Sequence, residues 1–228
     1  MRISAIILAV GVVIQLGTGA ASAADTDGFV SVFNGVDLFG WKQGPAKSWV
    51  VENGAIALSR STYDAKEHNS DYLWLAEPQG NFVVELEVKF HEKANSGIFL
   101  RTSDPGDPVP TGIEVQVMNS YGDPKLHNRH TAGAVYDCVT PTQNAIKKPG
   151  EWNQYRIACK DAKINVVLNG AMIVDMDLNR WTSAHENPDG TKNKFPKALK
   201  DFARVGYFGF QDHGLPVWYR NIRVKKLD

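Results

Sequence analysis

Two carboxylates on one predicted strand are the first side chains whose types and spacing could do chemistry. Glu85 and Glu87 are two residues apart in an alternating run, so they should point to the same face with Cβ atoms about 7 Å apart. Glu114 lies in a second alternating run and is expected to share that orientation. Carboxylates at such separations suit general acid/base work on a sugar. The alternative, which the spacing alone favours, is a solvated sheet face.

Other polar side chains are predicted to gather on faces of the same kind. A tight Asn-Ser-Gly turn precedes the strand that carries Arg101, and Gln116 lies two residues after Glu114. Gln211 and His213 end a late alternating strand beside a glycine. A face with carboxylates, an arginine, amides and aromatic rings can bind both the hydroxyls and the apolar C–H faces of a sugar. We expect His213 to assist proton transfer there, and the alternative is an ordinary histidine in a surface loop.

Metal-dependent chemistry has little support in the sequence. His127 and His130 lie in one polar stretch, but a zinc site needs a third ligand that the sequence does not place. Asp104, Asp107 and Asp123 lie among Pro and Gly, where acidic residues more often make turns than bind Ca²⁺. Phosphate-cradling loops, dinucleotide fingerprints and the common zinc-protease or serine-hydrolase motifs do not occur in the sequence. We therefore expect an activity without a metal or other cofactor.

The elements that would position these side chains are predicted to be β-strands. Residues 81–91 alternate apolar and polar side chains with a period of two, and residues 113–118 do the same. Asn53-Gly54 and Asn169-Gly170 each separate two apolar runs, which predicts tight type I′ hairpins. Only residues 195–203 have the pattern of a short helix. Further strands are expected at 97–101, 132–136, 153–160, 205–211 and 215–226.

This series of short strands with little helix predicts an all-β fold. Two antiparallel sheets packed into a sandwich or jelly roll are the expected architecture, and an up-and-down barrel is the alternative. The 228 residues include 25 Lys and Arg and 25 Asp and Glu, so the formal net charge is zero. This balance excludes a strongly basic nucleic-acid binder, and it fits a neutral ligand that needs no long-range electrostatic steering.

The N-terminal residues have the pattern of an export signal. A positive residue precedes an apolar run that ends in Ala21-Ser22-Ala23, so residues 1–23 are expected to be a secretory signal peptide cleaved after Ala23. The alternative is a membrane anchor, for which the apolar run is short against the roughly 20 residues of a span. We expect residues 24–228 to form a single β-sandwich domain in a secreted or periplasmic protein without a stable membrane span.

Two cysteines remain in the predicted mature chain. Cys138 and Cys159 could form a disulfide in an oxidising compartment, and closing a loop of this size would stabilise the fold by roughly 3 kcal/mol. Nothing in the sequence shows that their side chains meet, so a disulfide and two buried free thiols are equally open. Neither cysteine lies in a signature of a catalytic nucleophile.

Short motifs along the chain form a pattern that is specific in its order and spacing. The motifs are Phe33-Asn34-Gly35, Gly40-Trp41, Glu52-Asn53-Gly54, Asn95-Ser96-Gly97-Ile98, Glu114-Val115-Gln116, residues 131–137, Gly150-Glu151-Trp152-Asn153, Leu168-Asn169-Gly170, residues 209–214 and residues 219–223. In this pattern the mature chain, from about Phe29 to Leu227, resembles the 3-keto-disaccharide hydrolase domain family. Cys138 and Cys159 are not part of it.

The resemblance implies a concanavalin A-like lectin/glucanase sandwich and cleavage of the glycosidic bond in sugars already oxidised at C3. It also implies an oligosaccharide or glycoside as the binding partner. Among the matching positions, we hypothesise catalytic roles for Glu87, Glu114 and His213. The expected substrate-binding residues are Glu85, Arg101, Gln116, Tyr136, Gln211 and Arg220.

Two mechanisms and two other functions remain open at this point. A 3-keto group acidifies the hydrogen on C2, so a base could start β-elimination of the C1 substituent, and water addition would complete a net hydrolysis. The rival route is direct hydrolysis between two carboxylates. The chain could instead be a non-catalytic carbohydrate-binding domain, because sandwiches of this kind host both roles. A protein-interaction domain of the cell envelope is a further alternative.

Overall fold

The computed structural model describes residues 27–58, 71–125 and 127–228, so the predicted signal segment 1–23 lies outside the described residues. These ranges fold into thirteen strands and very little helix. The strands are β1 Val30–Ser31, β2 Trp41–Gln43, β3 Trp49–Glu52, β4 Ala55–Leu58, β5 Leu73–Leu75, β6 Phe82–Phe90, β7 Asn95–Thr102, β8 Ile113–Met118, β9 Asn153–Lys160, β10 Lys163–Leu168, β11 Ala171–Asp177, β12 Tyr207–Phe210 and β13 Val217–Lys226. The one α-helix is the single turn α1, Pro108–Thr111, and 3₁₀ turns occupy Leu178–Arg180 and Leu199–Asp201.

The strands form two antiparallel sheets. The larger sheet has the order β11-β10-β9-β6-β13-β4-β3, with β1 paired to β13. The smaller sheet has the order β2-β5-β12-β7-β8. Neither sheet closes on itself within the described ranges, so the predicted two-sheet sandwich is confirmed and the alternative barrel is wrong.

Alternation along the strands explains why the sheets pack. In β6, the side chains of Val84, Leu86 and Val88 belong to the shared core, whereas the glutamates between them point outward. Ile98 and Val115 supply the same core from β7 and β8 of the smaller sheet. Full burial of each such side chain is worth roughly 1.5–3 kcal/mol, so this interface dominates the stability of the fold.

Both predicted Asn-Gly hairpins are confirmed. Asn53 and Gly54 have φ values of 51° and 75°, and they join β3 to β4. Asn169 and Gly170 have φ values of 50° and 85°, and they join β10 to β11. Two consecutive residues with positive φ are what a type I′ turn requires, which explains the sequence preference.

Two predicted elements are wrong in detail. Residues 195–203 form only the 3₁₀ turn Leu199–Asp201, because Ala198 is extended (φ −59°, ψ 132°) and Pro196 has no N–H to donate. The side chains of Phe195 and Leu199 are nevertheless buried, which is why the spacing resembled a helix. Residues 132–136 do not form a regular strand; they lie along β8 through an isolated bridge between Val135 and Val115 and a few backbone hydrogen bonds.

The two cysteines are buried and free. Cys138 follows the bridged segment, and Cys159 lies in β9. The disulfide alternative is therefore wrong in this structure, and the free-thiol alternative is confirmed. Among the described residues, no helix has the length and hydropathy to cross a membrane.

Candidate active site

The outer face of the smaller sheet carries two rows of side chains that run across neighbouring strands. Its core-facing residues alternate with these, so the rows point away from the sandwich core. The first row consists of residues that are successive cross-strand partners: Trp74, Gly209, Phe99 and Glu114. The second row is Tyr72, Gln211, Gly97 and Gln116. Together these eight residues are called the central face below.

Glu114 is the carboxylate of the central face, and its side chain is only 4% exposed. Its Oε2 lies 3.2 Å from Lys194 Nζ. Burial raises the pKa of the Glu114 carboxyl above its ordinary value, and the positive charge of Lys194 opposes that rise. A carboxyl that is desolvated and yet faces a lysine is a candidate for proton transfer near neutral pH.

The glycine in the second row makes room for this carboxylate. A β-carbon at Gly97 would lie 2.8 Å from Cγ and 2.9 Å from Cδ of Glu114. Gly209 has the same effect in the first row, where a β-carbon would lie 3.0 Å from Cδ2 of Trp74. The missing side chains let Glu114 and Trp74 lie flat over neighbouring strands.

The second row of the central face contributes two amide side chains that flank the Glu114 carboxylate. The Gln116 side chain is 3% exposed and lies 2.8 Å from Asn95 Oδ1 through Nε2. With its amide turned over, Gln116 donates to Glu114 Oε1 at 3.1 Å instead. Gln211 Nε2 donates to Tyr72 Oη at 3.0 Å, and its backbone N–H donates to Gly97 O at 3.0 Å. These amides supply both donors and acceptors beside Glu114.

Aromatic rings continue the central face from Phe99, the strand partner of Glu114, towards β5. Tyr72 and Trp74 are stacked with ring centroids 5.5 Å apart, and Phe99 meets both rings edge-on. Tyr207 packs against this group. Burial raises the pKa of the Tyr72 hydroxyl well above its ordinary value, so Tyr72 serves as a neutral hydrogen-bonding group.

Tyr136 reaches the site from the segment that pairs with β8. Its backbone N–H donates to the carbonyl of Glu114 at 2.9 Å, which places the ring beside that carboxylate. His130 lies against the Tyr136 ring with centroids 4.6 Å apart, and His130 Nε2 lies 3.2 Å from Asp137 Oδ1. The nearby His130 also opposes the rise in the Glu114 pKa.

Lys194 comes from a hairpin-like loop that is fixed on both sides. Its neighbours Asn193 and Phe195 are buried, and Phe195 N–H donates to Asn193 Oδ1 at 3.0 Å. Asn187 Oδ1 accepts from Asn193 Nδ2 at 3.1 Å, and Asn187 Nδ2 donates to the carbonyl of Asp137 at 3.0 Å. These bonds join the Lys194 loop to the Tyr136 segment, so both side chains keep their positions relative to Glu114.

The structure brings together four of the predicted site residues. Glu114, Gln116 and Gln211 lie on the central face, and Tyr136 lies beside it. His213 is half-buried in the loop between β12 and β13, two residues after Gln211.

Glu85, Glu87 and Arg220 lie elsewhere, on the outer face of the larger sheet. The expectation that Glu114 shares a face with the two glutamates is therefore wrong, because β6 and β8 belong to different sheets. Glu87 Oε2 accepts from Arg220 Nε at 2.6 Å, and Glu85 is ion-paired with Arg156 and Arg223. These charges are already paired with one another, and Glu85, Glu87, Arg156 and Arg223 line a groove of about 430 Å³ on that outer face.

Arg101 is also placed differently from the prediction. It is 1% exposed and has a φ of 50°, where the register between β7 and β12 shifts. Its guanidinium donates to the carbonyls of Gly80 at 3.1 Å and Asp161 at 2.6 Å, and to Asn81 Oδ1 at 3.0 Å. Arg101 therefore joins the ends of β6, β7 and β9 and does not extend over the central face.

Sequence reasoning missed Lys194 and Tyr72. Lys194 lies in a Lys-rich loop that looks like a solvated surface, and only the burial of its two neighbours distinguishes it. Tyr72 lies one residue before a three-residue strand, too short to show alternation. In the described ranges, no group of three or more His, Cys, Asp or Glu side chains is arranged to hold a metal ion.

Comparisons with known proteins give matches over most of the chain. The sequence profile of the 3-keto-alpha-glucoside-1,2-lyase-like domain matches residues 28–225. A 3-keto-disaccharide hydrolase of Bacteroides thetaiotaomicron is 30% identical over 234 residues, covering 90% of this chain and 80% of the relative.

Solved structures give the same picture of the fold. A Parabacteroides distasonis protein, assigned by inference to the glycosyl hydrolases, superposes with a TM-score of 0.75 at 29% identity, covering 87% of this chain and 99% of its own. A Bacillus subtilis protein with a galectin-like fold superposes with a TM-score of 0.51 at 10% identity, covering 83% and 90%. The second likeness concerns the fold alone.

Proposed function

The chain belongs to the 3-keto-alpha-glucoside-1,2-lyase-like domain family, and on that premise we propose that it cleaves the glycosidic bond of 3-keto disaccharides or glycosides. The net reaction is hydrolysis, and we propose that it proceeds through β-elimination. The observation that supports this best is Glu114, a buried carboxylate on the central face with a lysine 3.2 Å away. The named function of the Bacteroides relative supports the same substrate class.

Glu114 is the base in this proposal. The ketone at C3 acidifies the hydrogen on C2, and Glu114 takes that hydrogen as a proton. The electron pair of the C2–H bond moves towards C3 and forms an enolate. When the enolate collapses, the C1–O bond breaks and its electrons leave with the departing sugar, which takes up a proton. Water then adds to the resulting enone, so the sum is hydrolysis without oxidation or reduction.

The rest of the central face suits a sugar. Gln116 and Gln211 offer amide groups to hydroxyls, and Tyr136 presents a ring and a hydroxyl beside Glu114. A carboxylate whose pKa is raised by burial abstracts protons better than an exposed one, because its charged form is less stabilised by water. Half-buried His213 remains our proposed aid to proton transfer.

We propose elimination in preference to direct hydrolysis because it requires fewer carboxylates at the site. Direct hydrolysis needs two carboxylates on either side of the scissile bond, separated by about 5–10 Å. Glu85 and Glu87, which the sequence offered as partners of Glu114, lie in the other sheet. An elimination needs only one base at C2, which Glu114 provides.

The test is to incubate the purified protein with matched disaccharides, unoxidised and oxidised at C3, with deuterium at C2. We expect release of sugar only from the 3-keto substrates and loss of deuterium to water. The Glu114→Gln variant should bind the same substrates and release nothing. Sugar release with retained deuterium would indicate direct hydrolysis. Binding without release by the wild-type protein would identify a carbohydrate-binding domain instead.

We also propose that the reaction takes place outside the cytoplasm. The support is the signal-like pattern of residues 1–23. N-terminal sequencing of the protein from periplasmic and secreted fractions should give a chain that begins at Ala24. A chain in the cytoplasmic fraction that keeps residues 1–23 would contradict this.

A further inference from the structure

We propose that Lys194 is a catalytic residue of this reaction and that its ammonium binds the C3 oxygen of the 3-keto sugar. As the proton leaves C2, that oxygen becomes an enolate, and Lys194 stabilises the new negative charge. This inference rests on the proposed function and adds a residue that no motif in the sequence indicated.

The ammonium group of Lys194 lies close to the proposed base and among aromatic rings. Lys194 Nζ lies 3.2 Å from Glu114 Oε2 and 4.6 Å from the centre of the Tyr136 ring. The rings of Phe195 and Phe99 are 5.4 Å and 6.0 Å away. Aromatic faces attract a cation, and they keep bulk water away from it. The charge is thus held over the central face in surroundings of low polarity, where electrostatic interactions are strong.

Lys194 also keeps N–H donors for a ligand. An ammonium has three N–H groups. In the part of the chain that the structure describes, Glu114 is the only oxygen within hydrogen-bonding distance of Lys194 Nζ. The side chain is 17% exposed, so a ligand on the central face can reach it. Lys194 can therefore bind a ligand oxygen and keep its contact with Glu114.

The Lys194–Glu114 pair also matches the chemistry of the proposed elimination. C2 and C3 of the sugar are bonded to each other, so an oxygen on C3 held by Lys194 brings the C2 hydrogen towards the neighbouring carboxylate. Glu114 then accepts the proton while the electron pair moves to the C3 oxygen. Lys194 stays protonated and donates a stronger hydrogen bond to the enolate than to the ketone. An interaction that strengthens in the transition state increases the rate.

The contrast with the other ion pairs of the chain supports a functional role. Glu85 is bound by two arginines on the outer face of the larger sheet, where both partners are partly exposed. The Lys194–Glu114 pair is more deeply buried, is held by one contact and lies among amides and rings that can bind a sugar. A pair that only stabilised the fold would not need donors directed to a ligand surface.

The test compares Lys194→Met with Lys194→Arg and with Lys192→Met, a matched change at an exposed lysine two residues away. We expect kcat of Lys194→Met to fall by about 10²–10⁴-fold, the range seen when an oxyanion donor is removed. KM should change much less. The acid limb of its pH profile should move to higher pH, because Lys194 opposes the rise in the Glu114 pKa. Lys194→Arg should restore the acid limb, and Lys192→Met should match the wild type.

Chemical rescue separates catalysis from structure. Lys194→Ala leaves a gap beside Glu114, and added ethylammonium should restore part of the lost kcat in a saturable manner. Wild-type kcat in Lys194→Met, or a change in KM alone, would overturn the inference. So would a loss in kcat with an unmoved acid limb and no rescue by ethylammonium. If the wild type itself cleaves no 3-keto substrate, the proposed function fails first, and the two failures are thus distinguishable.

Discussion

The backbone of Gly97 lies directly beneath the carboxylate of Glu114. The two residues are on neighbouring strands, β7 and β8, and a β-carbon at Gly97 would lie 2.8 Å from Glu114 Cγ. Real Cβ atoms essentially never approach a neighbour this closely. The position of the proposed base therefore depends on the absence of a side chain on the next strand.

We predict that Gly97→Ala moves Glu114 and lowers kcat by at least about 10-fold, since small displacements of a reacting group have large effects on rate. Gly97 is in an extended strand without positive φ, so alanine fits its backbone. Thermal unfolding should change little, because the Glu114 side chain can rotate towards solvent. Steady-state kinetics and a melting curve measure the two effects.

The control for this prediction is Gly80→Ala. A β-carbon at Gly80 would meet only Val205 Cγ2, at an ordinary contact distance of 3.5 Å. Its kcat should remain within about twofold of the wild type, since it displaces nothing on the central face. Wild-type kinetics in Gly97→Ala would show that the exact position of Glu114 is unimportant.

Substitutions of Glu87 and of Glu114 should differ in their effect on turnover. We predict that Glu87→Gln leaves kcat within about twofold, because Glu87 lies in the other sheet and binds Arg220 there. The loss of a partly exposed ion pair should reduce the free energy of unfolding by no more than about 1 kcal/mol. Glu114→Gln, in contrast, should abolish turnover.

The same assay of sugar release measures both variants, and substrate binding by Glu114→Gln shows that its site is intact. A severe loss of kcat in Glu87→Gln, with unchanged stability, would contradict the assignment of the site to the smaller sheet.

The sequence predicted the sandwich well, because the patterns that identify strands and turns lie within short stretches of consecutive residues. Alternation in residues 81–91 and the two Asn-Gly turns identify strands and hairpins without knowledge of the partner strands. The site was harder to predict, because alternation shows that Glu87 and Glu114 each point away from the core but not which sheet carries them. That information lies in long-range pairing, β6 with β9 and β13, and β7 with β8.

The periodicity of the sequence could not predict the contribution of Lys194. It comes from an irregular loop, and its position depends on buried Asn193 and Asn187, whose hydrogen bonds join segments far apart in the chain. Irregular loops have no repeating pattern of apolar residues, so a lysine that binds a buried carboxylate looks the same in the sequence as one in solvent.

Arg101 is expected to support the fold without taking part in turnover. Arg101→Met removes three hydrogen bonds, to two backbone carbonyls and to Asn81, that are made by a side chain which is itself only 1% exposed. We predict a loss of about 2–4 kcal/mol in the free energy of unfolding. At a temperature where the variant is fully folded, its kcat per folded molecule should equal that of the wild type.

Chemical denaturation and kinetics on the same preparation measure this separation. Arg180→Met is a suitable control, because Arg180 is exposed and should be replaceable without a comparable loss of stability. A variant of Arg101 that folds stably but does not turn over substrate would instead indicate that Arg101 takes part in the active site.

The two thiols should be unreactive in the folded protein. Burial raises the pKa of both Cys138 and Cys159 to about 12, so almost no thiolate is present at pH 8. We predict no reaction of the native mature protein with a thiol reagent on the minute timescale. In guanidinium chloride without reductant, two thiols per chain should react. No reactive thiol in the denatured, unreduced protein would instead reveal a disulfide.

Glu114 should make the stability of the fold decrease as pH rises. Its pKa in the folded chain is raised by burial, so the folded state holds this proton more tightly than the unfolded state does. The stabilisation is fully present below the ordinary carboxyl pKa and is lost as pH rises through the folded value. Gln resembles the protonated carboxyl, so Glu114→Gln should become progressively more stable than the wild type as pH rises from 4 to 8.

Denaturant unfolding of both proteins across this range measures the difference, and Asp177→Asn provides a control of opposite sign. Hydrogen bonds from the backbone of Asn179 and from Lys163 lower the pKa of Asp177. Its stabilisation is present at neutral pH and is lost as pH falls, so Asp177→Asn should be less stable than the wild type at pH 7 and approach it in acid. If the gap between Glu114→Gln and the wild type stayed constant or narrowed with rising pH, Glu114 would not be the desolvated base proposed.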